Sequence, residues 1–152
     1  MDAFDADALI YAAVADHPLG RRVRALFPVE AVDATGAVAG IGSVLLLPEL
    51  LSKPLRDGAG GELAELGALL ARLDLRPADE VTAELATALG AAYRLRAVDA
   101  VHLATAVGAG ADRFVTNNQS DFAKTITEID ITYPQDLPDP LCHQESTGPS
   151  HD

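Results

Sequence analysis

Short apolar segments alternating with amphipathic stretches predict an open, mainly parallel α/β sheet with helices on both faces for this 152-residue chain. Three observations carry that reading. Residues 3–11 and 113–116 are short, apolar and followed by polar turns. Leucine recurs at helical spacing over residues 62–73. The length suits one domain, large enough to bury its own core without a disulfide or structural metal.

In chain order, residues 3–11, apolar apart from Asp5 and Asp7, read as a buried strand running into a turn. Asp16-His17-Pro18 offers a helix start, with Asp16 or His17 near the cap and proline in the first turn. Leu19, Val23, Leu26 and Phe27 form its apolar face, and Pro28 ends it. Residues 34–41 are small and glycine-interrupted, a short strand or a loop. Ser43 is placed to cap the next helix, which carries Leu46, Leu47, Leu50 and Leu51 around Glu49 until Lys53-Pro54 stops it. Residues 56–61 read as a flexible turn. Leu63, Leu66, Leu69, Leu70 and Leu73 then mark one face of a helix, and a second runs from Ala78-Asp79 through Val81, Leu85, Leu89 and Tyr93. Residues 98–107 form a further helix with Asp99 in its first turn, closed by Gly108-Ala109-Gly110. A buried strand at 113–116, a polar loop at 117–121 and a final strand within 126–133 complete a domain spanning residues 1–137. Residues 138–152, rich in proline, serine and polar side chains, read as a disordered tail.

The lone Cys142 rules out an intrachain disulfide and fits a reducing compartment. Acids stand near the start where a secretory signal carries basic residues, and no apolar run is long enough to cross a bilayer. The expectation is a cytoplasmic protein without a membrane partner. The net charge of −12 argues against a nucleic-acid partner, because phosphate binding ordinarily draws on a basic surplus. Bound cations weaken that objection, since they become the local positive charge.

The acids have a place to converge. Ligands of open α/β sheets bind beyond the carboxyl ends of the strands. Asp5 and Asp7 fall where the first strand ends, Asp121 in the loop after a later strand, and Asp99 where a helix begins. Glu49 sits among leucines, near the apolar side of its helix, where a carboxylate is costly unless paired or metal-bound. Clustered carboxylates raise one another's pKa values, and a hard divalent cation, Mg²⁺ or Mn²⁺, relieves the conflict. No nucleophilic serine or cysteine arrangement and no phosphate-cradling glycine loop competes.

Four motifs make the pattern specific. Asp5-Ala6-Asp7-Ala8-Leu9-Ile10 resembles the opening Asp-x-Asn-x-Leu-Ile of PIN domains, with Asp7 at the usual Asn or Ser position. Pro48-Glu49-Leu50 is similar to the helix bearing that family's second acid. Asp99-Ala100-Val101-His102-Leu103-Ala104-Thr105-Ala106 resembles its Asp-Ala-x-His-x-Ala-x-Ala helix. Residues 110–122, ending Asn118-Gln119-Ser120-Asp121-Phe122, resemble its strand and Asn-x-x-Asp-Phe motif. The motifs occur in the family's order and are most similar to VapC-type toxins of toxin–antitoxin pairs. The resemblance implies a PIN-like fold, hydrolysis of RNA with Mg²⁺ (Mn²⁺ as alternative), a homodimer and a cognate antitoxin. It assigns catalytic and metal-binding roles to Asp5, Glu49, Asp99 and Asp121. Asp7, Thr116 and Asn118 stand behind them as a possible outer layer.

Plainer roles are also open to these residues. Asp5 can end a strand and Asp7 stabilise a turn. Asp99 suits a helix start on electrostatic grounds, Asp121 a cap over the next three residues, and Glu49 a pairing with Lys53 one turn on. His102 reads as a packing histidine between Val101 and Leu103 rather than a general base. Arg21, Arg22, Arg24, Arg94 and Arg96 are candidates for an RNA path or simply a solvated face. Two other functions remain in view: a partner-sequestering binding module without cleavage, and a haloacid-dehalogenase-like phosphatase using Asp5-Ala6-Asp7. The latter lacks the usual Gly-Thr pair after the acids.

Overall fold

The computed structural model describes residues 1–27 and 38–142. Pro28 as a helix stop, the first part of the segment 34–41, and residues 143–152 of the expected tail lie outside the described residues.

Strands β1 (Asp2–Phe4), β2 (Gly40–Ser43), β3 (Leu73–Arg76), β4 (Arg113–Val115) and β5 (Asp130–Thr132) form one sheet in the order β3-β2-β1-β4-β5, every neighbouring pair parallel. Its helices are α1 (Ala6–Ala13), α2 (Pro18–Arg24), α3 (Leu46–Arg56), α4 (Gly60–Leu70), α5 (Glu80–Tyr93) and α6 (Ala97–Gly108). Successive strand side chains point to opposite faces. Ala3 and Phe114 therefore join one core, with Leu89 of α5 and Leu103 of α6. Phe4 and Val115 join the other, with Leu9 of α1, Val23 of α2, Leu50 of α3 and Leu66 of α4. The α/β/α layering follows. No described helix is long and apolar enough to cross a membrane.

The first apolar segment is not one strand. β1 ends at Phe4, and α1 begins at Ala6 because the Asp5 side chain accepts the Ala6 N–H at 2.9 Å as an N-cap. Asp7 thus lies in the first turn of α1 rather than at a strand end. His17 caps α2 by accepting the Leu19 N–H at Nδ1, 3.1 Å. Ser43 closes β2 and accepts the Leu45 N–H at 3.2 Å, shaping the turn into α3 without occupying its cap position. Pro54 does not stop α3. It is buried inside the last turn, which runs on to Arg56, and its carbonyl accepts the Ala59 N–H at 2.9 Å. The leucine-rich segment 62–73 also divides, for α4 ends at Leu70 and Leu73 opens β3 opposite Gly40. At Gly40 a Cβ would lie 2.6 Å from both the Asp2 carbonyl oxygen and the Phe4 ring, so glycine lets β2 and β1 approach. Among the described tail residues, a turn at Asp139 sits 3.9 Å from Arg22.

Asp79 caps α5, its carboxylate accepting both the N–H and the hydroxyl of Thr82 at 2.9 Å. These bonds, the backbone one first, hold its pKa below 3.8. A depressed carboxylate contributes stability above its unfolded pKa and loses it as pH falls through the folded one. Asp79→Ala is expected to lower Tm by about 2–4 °C at pH 7, with the gap closing below about pH 4 in pH-resolved thermal melts.

Candidate active site

The order of the sheet fixes where a site can form. The chain leaves β1 for β2 on one side and later adds β4 on the other, so the crevice at the carboxyl ends of β1 and β4 is a topological switch point. Asp5 and Thr116 immediately follow those two strands. The Asp5 N–H donates to the Val115 carbonyl at 2.9 Å, extending the β1–β4 pairing to the site.

Asp5 is buried. One oxygen accepts the Ala6 N–H, and the other accepts the Thr116 hydroxyl at 2.8 Å. The same hydroxyl accepts the Asn118 N–H at 3.1 Å, so Thr116 joins the first acid to the loop after β4. Asp7 accepts the Asn117 N–H at 3.1 Å. Asn118 donates from Nδ2 to Asp121 at 2.9 Å and accepts the Ser120 hydroxyl at 3.0 Å. Asp121 therefore belongs to a knotted loop, not to a cap over a following helix, and no helix follows it before β5. Phe122, wholly buried, anchors that loop edge-on against Phe114 with ring centroids 5.0 Å apart.

Glu49 departs from its expected setting. Its side chain is 36% exposed rather than sunk among the leucines, and it pairs with His102, Nε2 to Oε2 2.6 Å, instead of Lys53. Lys53 faces Asp57 at 3.4 Å. His102 is fully buried, as a packing histidine should be, yet it also reaches one of the acids. Its Nδ1 finds no partner among the described residues. The spacing put His102 three residues after Asp99, on the same side of α6 and so near the acids, but gave no sign of Glu49 as its partner. Tyr11 and Asn117, which sequence reasoning did not single out as site residues, also border the cavity.

Asp5, Asp7, Glu49, Asp99, Asn117 and Asn118 line this cavity of about 290 Å³. Asp121 stands behind it, near enough for its charge to act on Asp99. The electrostatics show the crowding. Burial, and then the charge of Asp7, push Asp5 up to about 7 from 3.8. Burial also raises Asp7. Asp99 is raised by burial, then by Asp121 and Glu49, with His102 and Arg96 pulling it back. For His102, burial is the largest influence and works to lower its pKa. The hydrogen bond to Glu49 and the charges of Asp5, Glu49 and Asp99 together outweigh it, so the net shift is upward.

Among the described residues, no lysine or arginine forms an ion pair with Asp5, Asp7, Glu49, Asp99 or Asp121. Five carboxylate side chains, with Asp5, Asp7 and Asp99 raised above the ordinary carboxylate range, fit a hard divalent cation. No three of them, nor any other described histidine or cysteine group, stand together as a ready-made metal cage.

A model of the PIN domain family matches residues 3–126. No curated protein sequence matches significantly. Among solved structures, a chain of a toxin–antitoxin complex from Klebsiella pneumoniae is similar, with 24% identity and a TM-score of 0.63 over 88% of this chain and 98% of that one. That likeness bears on the fold alone.

Proposed function

The chain belongs to the PIN domain family, a family generally of nucleases, and from this premise we propose that it is a metal-dependent endoribonuclease. The observation that carries the proposal is the group of five acids at the β1–β4 switch point with no lysine or arginine paired to them among the described residues. Asp5, Glu49, Asp99 and Asp121 would hold Mg²⁺ or Mn²⁺, which when bound supplies a water of lowered pKa and positive charge for the phosphate. The remaining work falls to the chain itself. Thr116 fixes the Asp5 carboxylate by donating to it, and Asn118 turns Asp121 by donating from its amide. Asp7, tied to the Asn117 N–H, keeps the loop after β4 against the start of α1 and adds negative charge beside Asp5. Family membership displaces the haloacid-dehalogenase-like reading of Asp5-Ala6-Asp7.

The proposal extends to a toxin of a toxin–antitoxin pair, acting in the cytoplasm as a homodimer and held in check by a cognate antitoxin. The motif resemblance supports the toxin, homodimer and antitoxin readings, and the lone cysteine supports a reducing compartment. Purified protein is expected to cut one or a few sites in a panel of transfer and ribosomal RNAs with Mn²⁺ or Mg²⁺, and none with chelator. Folded protein, free of any partner, that cut nothing with either metal would favour the binding-module reading instead.

His102 enters as a positioning residue that holds Glu49 toward the site. His102→Ala is expected to lower kcat about 10–100-fold with little change in KM, the range typical when a ligand's supporting partner is removed. His102→Gln, which keeps a hydrogen-bond donor, should recover part of the loss. Equal kcat for the two variants would show that His102 only fills space.

A further inference from the structure

A second cavity of about 590 Å³ opens beside the acidic one. Leu45 and Pro48 at the start of α3 and Ala97 and Val98 in the first turn of α6 form its apolar floor, with Arg96 at the rim. Glu49 and Asp99 line both cavities, so the floor continues directly from the carboxylates. Its size lies in the roughly 300–1,000 Å³ range of small-ligand sites.

The arginines divide sharply in their commitments. Arg24 donates to the carbonyls of Ala12 and Val14 at 2.9 Å, and Arg22 to those of Gln135 and Leu137 at 3.0 and 2.9 Å. Arg21 reaches the Asp16 carbonyl, and Arg113 grips Asp2 at 2.7 Å. These side chains hold loops and strand ends together. Arg96, like Arg72 and Arg94, makes no side-chain hydrogen bond or ion pair among the described residues; it is exposed, and of these three it is the one that lines this cavity, in a chain of net charge −12. It is near enough to Asp99 for its charge to be felt there.

A single-stranded RNA presents unstacked bases with apolar faces, separated by phosphates at regular intervals. An apolar floor beside the hydrolytic carboxylates, with one uncommitted cation at its edge, matches that alternation. We propose that this cavity is the subsite for the nucleoside next to the scissile phosphate, its base resting on Leu45, Pro48 and Val98 and the following phosphate meeting Arg96. The inference rests on the endoribonuclease reading and deepens it, since it assigns base preference to this floor.

The test uses purified protein, Mn²⁺ and a fully randomised single-stranded oligoribonucleotide pool, with the cut ends sequenced. Kinetics then follow on the best substrate and on versions lacking the base at each position flanking the cut. Val98→Ser and Arg96→Ala are the variants, both at exposed positions, with unchanged Tm as the check on folding. Wild type is expected to show a base preference at one flanking position, where loss of the base raises KM about tenfold. In Val98→Ser both the preference and that penalty should shrink, and in Arg96→Ala KM should rise about 3- to 10-fold with kcat within about twofold. Wild-type cleavage with variants that keep the same preference and KM would overturn the subsite while leaving the nuclease reading intact. Variants that cut normally but escape a cognate antitoxin would overturn it too, and reassign the floor to protein docking. A wild type that cuts no RNA in the pool would take down both.

Discussion

Asp5→Asn is expected to abolish RNA cleavage, by about 100-fold or more, and at the same time to raise the Tm of the metal-free protein above pH 7. The two effects share one cause. Asp5 is buried, and burial followed by the neighbouring charge of Asp7 pushes its pKa to about 7. A carboxyl whose folded pKa exceeds its unfolded one favours the fold while protonated. That contribution is complete below about pH 4 and is lost as pH rises through about 7. At pH 8 the wild type therefore carries the full cost of an ionised buried acid, on the order of 4 kcal/mol from a shift of this size. Asparagine removes that cost. It can still accept the Ala6 N–H and exchange a hydrogen bond with Thr116, so the cap of α1 survives. Melts from pH 5 to 8.5 should show the two proteins converging at low pH and the variant ahead at high pH. Mg²⁺ should stabilise the wild type most at high pH and the variant hardly at all. A variant less stable than wild type throughout would mean that Asp5 is chiefly a helix cap.

Phe122→Ala should be the most damaging core change near the site, costing about 3–5 kcal/mol and lowering Tm by roughly 10–15 °C in thermal unfolding. Phe122 is fully buried against Phe114 of β4, and its carbonyl accepts the Tyr133 hydroxyl at 2.7 Å. It directly follows Asp121, so the cavity left by alanine lies beneath the loop that carries Asn118 and Asp121. Cleavage at a temperature where the variant remains folded should also fall, with the loss in kcat. Phe122→Leu, which refills most of the volume, should recover most of both. Full activity in folded Phe122→Ala would separate the loop's anchor from its function.

The parts of this fold that were legible in the sequence have strong local chemistry. His17 before Pro18, Asp79 before an apolar-periodic stretch and Asp99 in a first turn announced their helices. The parts that were not legible depend on partners remote in sequence. β3 is four residues, Leu73–Arg76, and its leucine also completes the helical period of α4; only pairing with β2 decides the matter. Residues 3–11 are apolar nearly throughout because β1 and most of α1 are buried and Ile10 is apolar although exposed, so periodicity could not divide them. For the site, Asp5 at the end of β1 and Asp99 at the start of α6 followed from the rule that ligands gather beyond strand ends. The Glu49–His102 pair joins α3 to α6 across 53 residues, and no local pattern encodes such a contact.

The clustered carboxylates are proposed to act by holding a divalent cation for RNA hydrolysis. The most direct measurement follows Mn²⁺ binding and RNA cleavage in the same titration, for wild type and Asp99→Asn. Cleavage is expected to rise in step with Mn²⁺ occupancy in the wild type, and Asp99→Asn to lose both while keeping its fold. Asp99→Asn that binds less Mn²⁺ yet cuts as fast as wild type, or wild-type cleavage that persists in chelator, would contradict it.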